Sequence, residues 1–295
     1  MPSLEALLGE GFDVVSAVTQ PDKPRGRSRT TAVASPVKLA AVAEAVPVLQ
    51  PARPSEPAFG AQLRTLAPDV GVVVAYGHLL APALLAIPKR GMINVHPSLL
   101  PELRGAAPIE WAIRNGLEKT GVTIMQMDAG MDSGPILHQI PHRLDSDVTG
   151  GELSEHLSEL GAQALIEALA LLEQGELVAR PQDAARVSYA PKLTRDTARL
   201  RWTDPAEQIA RTIRALDPKP GAWTELGGHA VKLFGARVLA GQGAPGAVVS
   251  TEGGLRVGTG SGLVELEEAQ PAGKPRLAVA DWIRGRGVGA GQRFT

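Results

Sequence analysis

What most constrains the fold of this chain is a change of rhythm near residue 180. Before it, short apolar runs alternate with helical segments. Residues 12–18 read as a strand, and residues 36–45 as a helix with proline in its first turn and Ser35 as N-cap. Residues 70–75 form a continuous apolar run, the pattern of a parallel strand covered on both faces. Residues 92–95 and 122–127 are further strands, separated by a loop and a helix that opens at Pro108. Residues 152–172 have the periodicity of a long amphipathic helix, ended near Gly175. This βαβ alternation predicts an α/β fold with an open parallel sheet. After residue 180 the texture changes. Residues 181–192 are polar and irregular, a linker, and a helix over 205–216 follows. Then come short strands punctuated by glycine: 222–226, 230–239, 247–250, 255–257 and 263–268. They predict a small barrel or sandwich. A chain of 295 residues accommodates both parts as separate domains.

Charge divides near the same place. Residues 1–191 hold 15 Lys/Arg against 21 Asp/Glu, and residues 192–295 hold 15 against 10. A net charge of −1 argues against a dedicated nucleic-acid binder, but the split suggests two domains with different partners. The absence of cysteine excludes disulfides, thiol nucleophiles and thiolate metal sites. No apolar run is long enough to span a membrane. The start carries Glu5 and Glu10 without a basic flank, unlike a secretory signal, so a cytoplasmic protein is expected. Gly258-Thr259-Gly260-Ser261-Gly262 lies between two short strands with no helix after it, so it reads as a hairpin turn rather than a phosphate loop. His138 and His142 have ligand-like spacing but no third ligand nearby, and no metal site is expected. Lys23-Pro24-Arg25-Gly26-Arg27-Ser28-Arg29 is a basic loop that can track phosphates; a solvated surface loop is the alternative.

The chemistry concentrates around Asn94-Val95-His96. Alternation along a strand points the Asn94 amide and the His96 imidazole to one face, at the carboxyl end where open α/β sheets place their ligands. The loop Pro97-Ser98-Leu99-Leu100-Pro101 is stiffened by proline, and Arg104-Gly105-Ala106-Ala107-Pro108 provides small residues for close backbone approach. Asp128-Ala129-Gly130-Met131-Asp132-Ser133-Gly134 adds two carboxylates after another strand. An amide, an imidazole and a carboxylate suit acyl transfer without a covalent enzyme intermediate. The amide stabilises an oxyanion, the imidazole moves a proton, and the carboxylate orients the imidazole or accepts a proton.

These three blocks, with Val18-Thr19-Gln20-Pro21-Asp22, Ser35-Pro36-Val37-Lys38 and Tyr189-Ala190-Pro191-Lys192-Leu193, resemble the folate-dependent formyltransferases over nearly the whole chain. The resemblance is strongest to the members that formylate methionine on initiator tRNA. It implies a Rossmann-like catalytic domain over 1–178, a linker over 179–191 and an OB-like tRNA-binding domain over 192–295. It also implies a monomer that uses 10-formyltetrahydrofolate and no metal. Asn94, His96 and Asp132 match the catalytic trio, with Asn94 and His96 stabilising the oxyanion and Asp132 fixing His96 or assisting proton removal. Ser98, Leu99, Leu100 and Pro101 match the folate site. The basic loop matches a tRNA-contacting insertion that includes Lys23, Arg25, Arg27 and Arg29, with Arg27 its key cation. Pro97 and Pro135 depart from the family pattern in a way that stiffens the loops. The resemblance begins at Pro2, within the first helix region of relatives, so the first strand of the sheet is expected to be missing from this chain. Two rivals are a formyltransferase or formyl-folate hydrolase with a small-molecule substrate, and a catalytically silent nucleic-acid-binding module. The basic loop and basic C-terminal part argue against the first, the intact trio against the second.

Overall fold

Ser35 does cap a helix: its hydroxyl accepts the Lys38 N–H at 3.1 Å, and Pro36 occupies the first turn. The computed structural model describes residues 1–24 and 32–295. In chain order the elements are α1 (Pro2–Gly9), β1 (Ala17–Val18), the antiparallel pair β2 (Lys23–Pro24) and β3 (Ala32–Val33), α2 (Pro36–Ala43) and β4 (Val48–Leu49). There follow α3 (Pro57–Leu66), β5 (Gly71–Val73), α4 (Pro82–Leu85), β6 (Met92–His96), α5 (Pro108–Arg114), β7 (Lys119–Gln126), β8 (Ile136–Arg143) and α6 (Gly150–Gln174). The last part holds α7 (Ala206–Ala215), β9 (Ala222–Leu226), β10 (His229–Leu239), β11 (Val248–Ser250), β12 (Leu255–Gly258), β13 (Leu263–Pro271), β14 (Leu277–Ala278) and α8 (Val279–Arg284).

The chain divides into two compact units. The first is Met1–Gly105, Thr120–His142 and His156–Tyr189; the second is Ala106–Lys119, Arg143–Glu155 and Ala190–Thr295. The second unit therefore takes in α5 and the start of α6 besides the C-terminal elements. Its α5 is held by the Trp111 indole, which donates to the Pro191 carbonyl at 2.8 Å, and by Gln208 of α7, which donates to the Arg114 carbonyl. The start of α6 carries a capping box: the Glu152 carboxylate accepts the Thr149 N–H at 2.9 Å, and the Thr149 hydroxyl accepts the Glu152 N–H.

In the first unit the sheet is mixed rather than wholly parallel. Its strand order is β5-β6-β7-β8; β5 and β6 are parallel, with Val73 opposite Asn94, while β7 runs antiparallel to β6. Only Ala17 and Val18 of the run 12–18 enter a ladder, pairing in parallel with β4 as a separate two-stranded sheet. The run 70–75 is half-buried instead of covered on both faces, and Val74 is 45% exposed. The reason is topological: among the described residues β5 has a sheet neighbour on one side only.

The second unit is a curled antiparallel sheet in the order β11-β12-β13-β10-β9, with β14 on β13 and α7 packed across it. Ile209, Ile213, Leu233, Leu255 and Leu266 fill its core. Residues 292–295 join its two edges: Phe294 bridges Leu226 of β9, and Arg293 bridges Ala247 beside β11. The glycine run after β12 is a hairpin turn, tied by the Thr259 hydroxyl to the carbonyls of Ser261 and Gly262.

Candidate active site

β6 ends at His96, and its alternation with β5 and β7 on either side puts Asn94 and His96 on one face. Asn94 is half-buried and its side-chain amide has no hydrogen-bond partner among the described residues. His96 is buried, with 4% of its side chain exposed. Its Nε2 lies 3.0 Å from the Leu103 carbonyl oxygen. A carbonyl can only accept, so that contact places the ring proton on Nε2 and leaves the Nδ1 lone pair bare. Nδ1 faces the Asp132 carboxylate, 3.8 Å from Oδ2. Burial pushes the His96 pKa below its ordinary value of 6.5, against the smaller opposing effects of the Asp132 charge and the Leu103 carbonyl. Burial thus favours the neutral imidazole.

Asp132 arrives from the loop after β7. It sits in the left-handed backbone region, at φ +50°, which Asp tolerates better than most residues. Its Oδ2 accepts the Gly105 N–H at 2.8 Å. The loop is built around the other carboxylate: Asp128 accepts from the Gly130 N–H and the Ser133 hydroxyl. Gly134 closes it, where a β-carbon would overlap the Gln126 carbonyl oxygen. The two carboxylates thus divide their tasks, Asp128 shaping the loop and Asp132 reaching His96.

The stretch after His96 is packed inward. Ser98 is buried and its hydroxyl donates to the Glu102 carbonyl at 2.6 Å; Leu100 packs on Met125 and Ile136; Pro101 is buried, and Leu99 is half-buried. Thr123 of β7, fully buried, holds this stretch. Its hydroxyl donates to the Ser98 carbonyl and accepts from the Leu100 N–H and the Gln139 amide. Of the basic loop, Lys23 is exposed on β2, its ammonium donating to Gln20; Arg25, Arg27 and Arg29 lie outside the described residues. His138 pairs with Glu167 at 2.7 Å, and the His142 and His156 rings meet at a tilt, 4.2 Å between centroids. Among the described residues no group of His, Cys, Asp or Glu is arranged to hold a metal ion.

Sequence reasoning missed two supports and one buried hydroxyl. Gln182, in the expected linker, donates to the carbonyls of Asp132 and Gly134 and accepts from Arg104. Thr123 is hidden in a run that reads only as apolar strand. Tyr76 follows β5 beside β6; its hydroxyl is buried with no partner, and burial pushes its pKa up. The flanking positive φ angles of Ala75 and Gly77 mark that turn, and Gly77 alone is visible in the sequence as a signal.

The chain belongs to the formyl transferase family: its formyl transferase model matches residues 4–169, and the model of the C-terminal domain matches residues 192–287. Within that family it is similar to methionyl-tRNA formyltransferases. The one from Roseiflexus sp. (strain RS-1) is 48% identical, covering 99% of this chain and 90% of the relative. The one from Thermobifida fusca is 45% identical, covering 100% of this chain and 95% of the relative. An N-formyltransferase from Helicobacter canadensis, solved in complex with folinic acid and dTDP-3-aminofucose, shares the fold. Its TM-score is 0.67 at 16% identity, covering 91% of this chain and 94% of that one. Among the described residues no helix is long and apolar enough to cross a membrane.

Proposed function

We propose that this protein transfers the formyl group of 10-formyltetrahydrofolate to the free amino group of methionyl initiator tRNA, for translation initiation. Relatives nearly half identical over essentially the whole chain bear that activity in their names. The observation that carries the chemistry is the unpartnered Asn94 amide beside a neutral His96 whose bare Nδ1 faces Asp132. These residues fit a formyl donor, since Asn94 offers an N–H to a carbonyl oxygen and no described residue occupies it.

Formyl-folate supplies an activated formyl carbon. Asn94 donates to the oxygen on which charge develops as the amine attacks. His96 takes the amine's proton at Nδ1; as the tetrahedral adduct collapses, the bond from the formyl carbon to N10 breaks and His96 returns that proton to N10 of the departing tetrahydrofolate. With its other nitrogen committed to Leu103, His96 has no proton to offer the oxyanion, so this reading gives that task to Asn94. Asp132, held by the Gly105 N–H, stabilises the imidazolium that forms. Ser98, Leu100 and Pro101 bury their side chains, so they contribute a backbone wall to the folate site, with Leu99 supplying its half-exposed side chain. Lys23, Arg25, Arg27 and Arg29 hold tRNA phosphates together with the basic part over 192–295. The trio comes from one chain, and the protein acts as a monomer in the cytoplasm, where initiator tRNA is used.

The test is formyl transfer from 10-formyltetrahydrofolate to charged initiator tRNA and, separately, to free methionine. Efficient transfer to the charged tRNA alone is expected. Equal or better transfer to the free amino acid would overturn the reading.

A further inference from the structure

Arg211 and Arg214, three apart on α7, line a cleft of about 310 Å³ that lies within the second unit. Both are half-buried. The Nε of Arg214 is sealed from solvent and has no hydrogen-bond partner. The Arg211 guanidinium rests against Gly116, where a β-carbon would overlap it. Among the described residues no carboxylate comes within 4.0 Å of either guanidinium, although Glu118, Asp145 and Glu207 line the same cleft. Burial and the neighbouring Arg211 charge both pull the Arg214 pKa down, with Asp147 offsetting part of this. Arginine nevertheless keeps its proton in proteins, so the cleft is lined by two like charges.

We propose that the cleft binds one small oxyanion, a carboxylate or monophosphate group, between Arg211 and Arg214. Such a group accepts from the N–H groups that the two guanidiniums turn to the cleft and neutralises the repulsion between the two cations. The apolar walls, among them Leu117, Leu144 and Val148, suit the body of a small molecule. Glu118, Asp145 and Glu207 are exposed at the rim, where water and salt reduce their repulsion of a single anion in the cleft to a modest remainder. A polyanion would have to lie along that rim, so the cleft excludes a nucleic-acid backbone. None of these residues is among the groups placed on the formyl carbon, its oxygen or the attacking amine.

The test is thermal melting of the whole protein titrated with inorganic phosphate, acetate or chloride at constant ionic strength. A saturable rise of about 3 °C with phosphate or acetate, absent with chloride, is expected. The anion that half-saturates at the lower concentration identifies the preferred group. The rise is lost in Arg211→Gln and Arg214→Gln. Glu207→Gln, which removes a rim charge and touches no core, lowers the half-saturating concentration about threefold. That variant decides the matter if the arginine variants do not fold. No saturable rise, an equal rise in folded Arg214→Gln, or an unchanged midpoint in Glu207→Gln overturns the proposal. So does a single-stranded RNA that competes for the same Arg214-dependent rise.

Discussion

His96 lies between two oxygens with opposite demands: the Leu103 carbonyl accepts from Nε2, and the Asp132 carboxylate stands 3.8 Å from Nδ1, where the proposed reaction would deliver a proton. His96→Ala or Asp132→Asn therefore lowers kcat by about 10²–10⁴-fold, the usual worth of a positioned acid–base group, with folate affinity little changed. Single-turnover formylation checks this, and near-normal turnover in either variant would remove the residue from the reaction. The pH dependence follows from burial. His96 in the folded protein takes up its proton at a lower pH than the ordinary 6.5 of the unfolded chain. Its neutral form thus contributes stability that is complete above 6.5 and is lost as pH falls through the folded-state value. The activity has its acid limb below pH 6.5, and Asp132→Asn moves the His96 titration, followed by NMR, further down because the opposing carboxylate is gone. An upward movement would contradict the assignment. The Asn94–His96 pair was legible in the sequence because alternation along a strand fixes a shared face. The approach of Asp132 was legible only through family resemblance, and its geometry not at all. Asp132 lies 36 residues beyond His96 in the sequence, and its turn needs a left-handed backbone that nothing at position 132 announces.

At the scale of elements, β7 does more than fill the sheet. Through Thr123 it ties the loop after β6 in place with one donated and one accepted hydrogen bond, both buried, while Gln139 of β8 also donates to the same hydroxyl. Thr123→Val keeps the shape and strands the Ser98 carbonyl and the Leu100 N–H. We expect a stability loss of about 1–3 kcal/mol, and a rise in the folate KM that exceeds any fall in kcat. Urea unfolding and steady-state kinetics measure both, and an unchanged KM would mean that the loop does not touch folate. Helices such as α2 and α6 were visible beforehand because caps, proline and a period near four residues are local. The terminating glycine of α6, Gly175 at φ +75°, was visible for the same reason. The direction of β7 was not. Reversing a strand changes its partner carbonyls and amides but leaves its own apolar pattern untouched.

In the whole molecule the division of charge and the division of texture fall together, but the compact units do not follow the linear order. Replacing Arg25, Arg27 and Arg29 by Gln should flatten the log–log salt dependence of tRNA binding by about one unit per lost phosphate contact and leave folate affinity unchanged. An identical slope would mark the loop as a solvated surface. In the second unit, Phe294 is fully buried and stacks on Trp202 at 5.4 Å, with Trp282 at 6.4 Å. Phe294→Ala should cost about 3–5 kcal/mol and red-shift the tryptophan emission, since it empties the seam where residues 292–295 join the sheet edges. Denaturant unfolding followed by fluorescence tests this, and a loss below that range would mean that the strands close without it. The sequence by itself determined the element types, the α/β-then-β order and the shared strand face of Asn94 and His96. These rest on periodicity, caps and residue type, which act between near neighbours in the chain. Only the tertiary structure decided the mixed sheet, the joining of β9 to β11 by residues 292–295, the tautomer of His96 and the grouping of α5 with the C-terminal strands. Each of these depends on which distant backbone or side-chain group supplies the missing hydrogen-bond partner or apolar face, and local pattern carries no record of that choice.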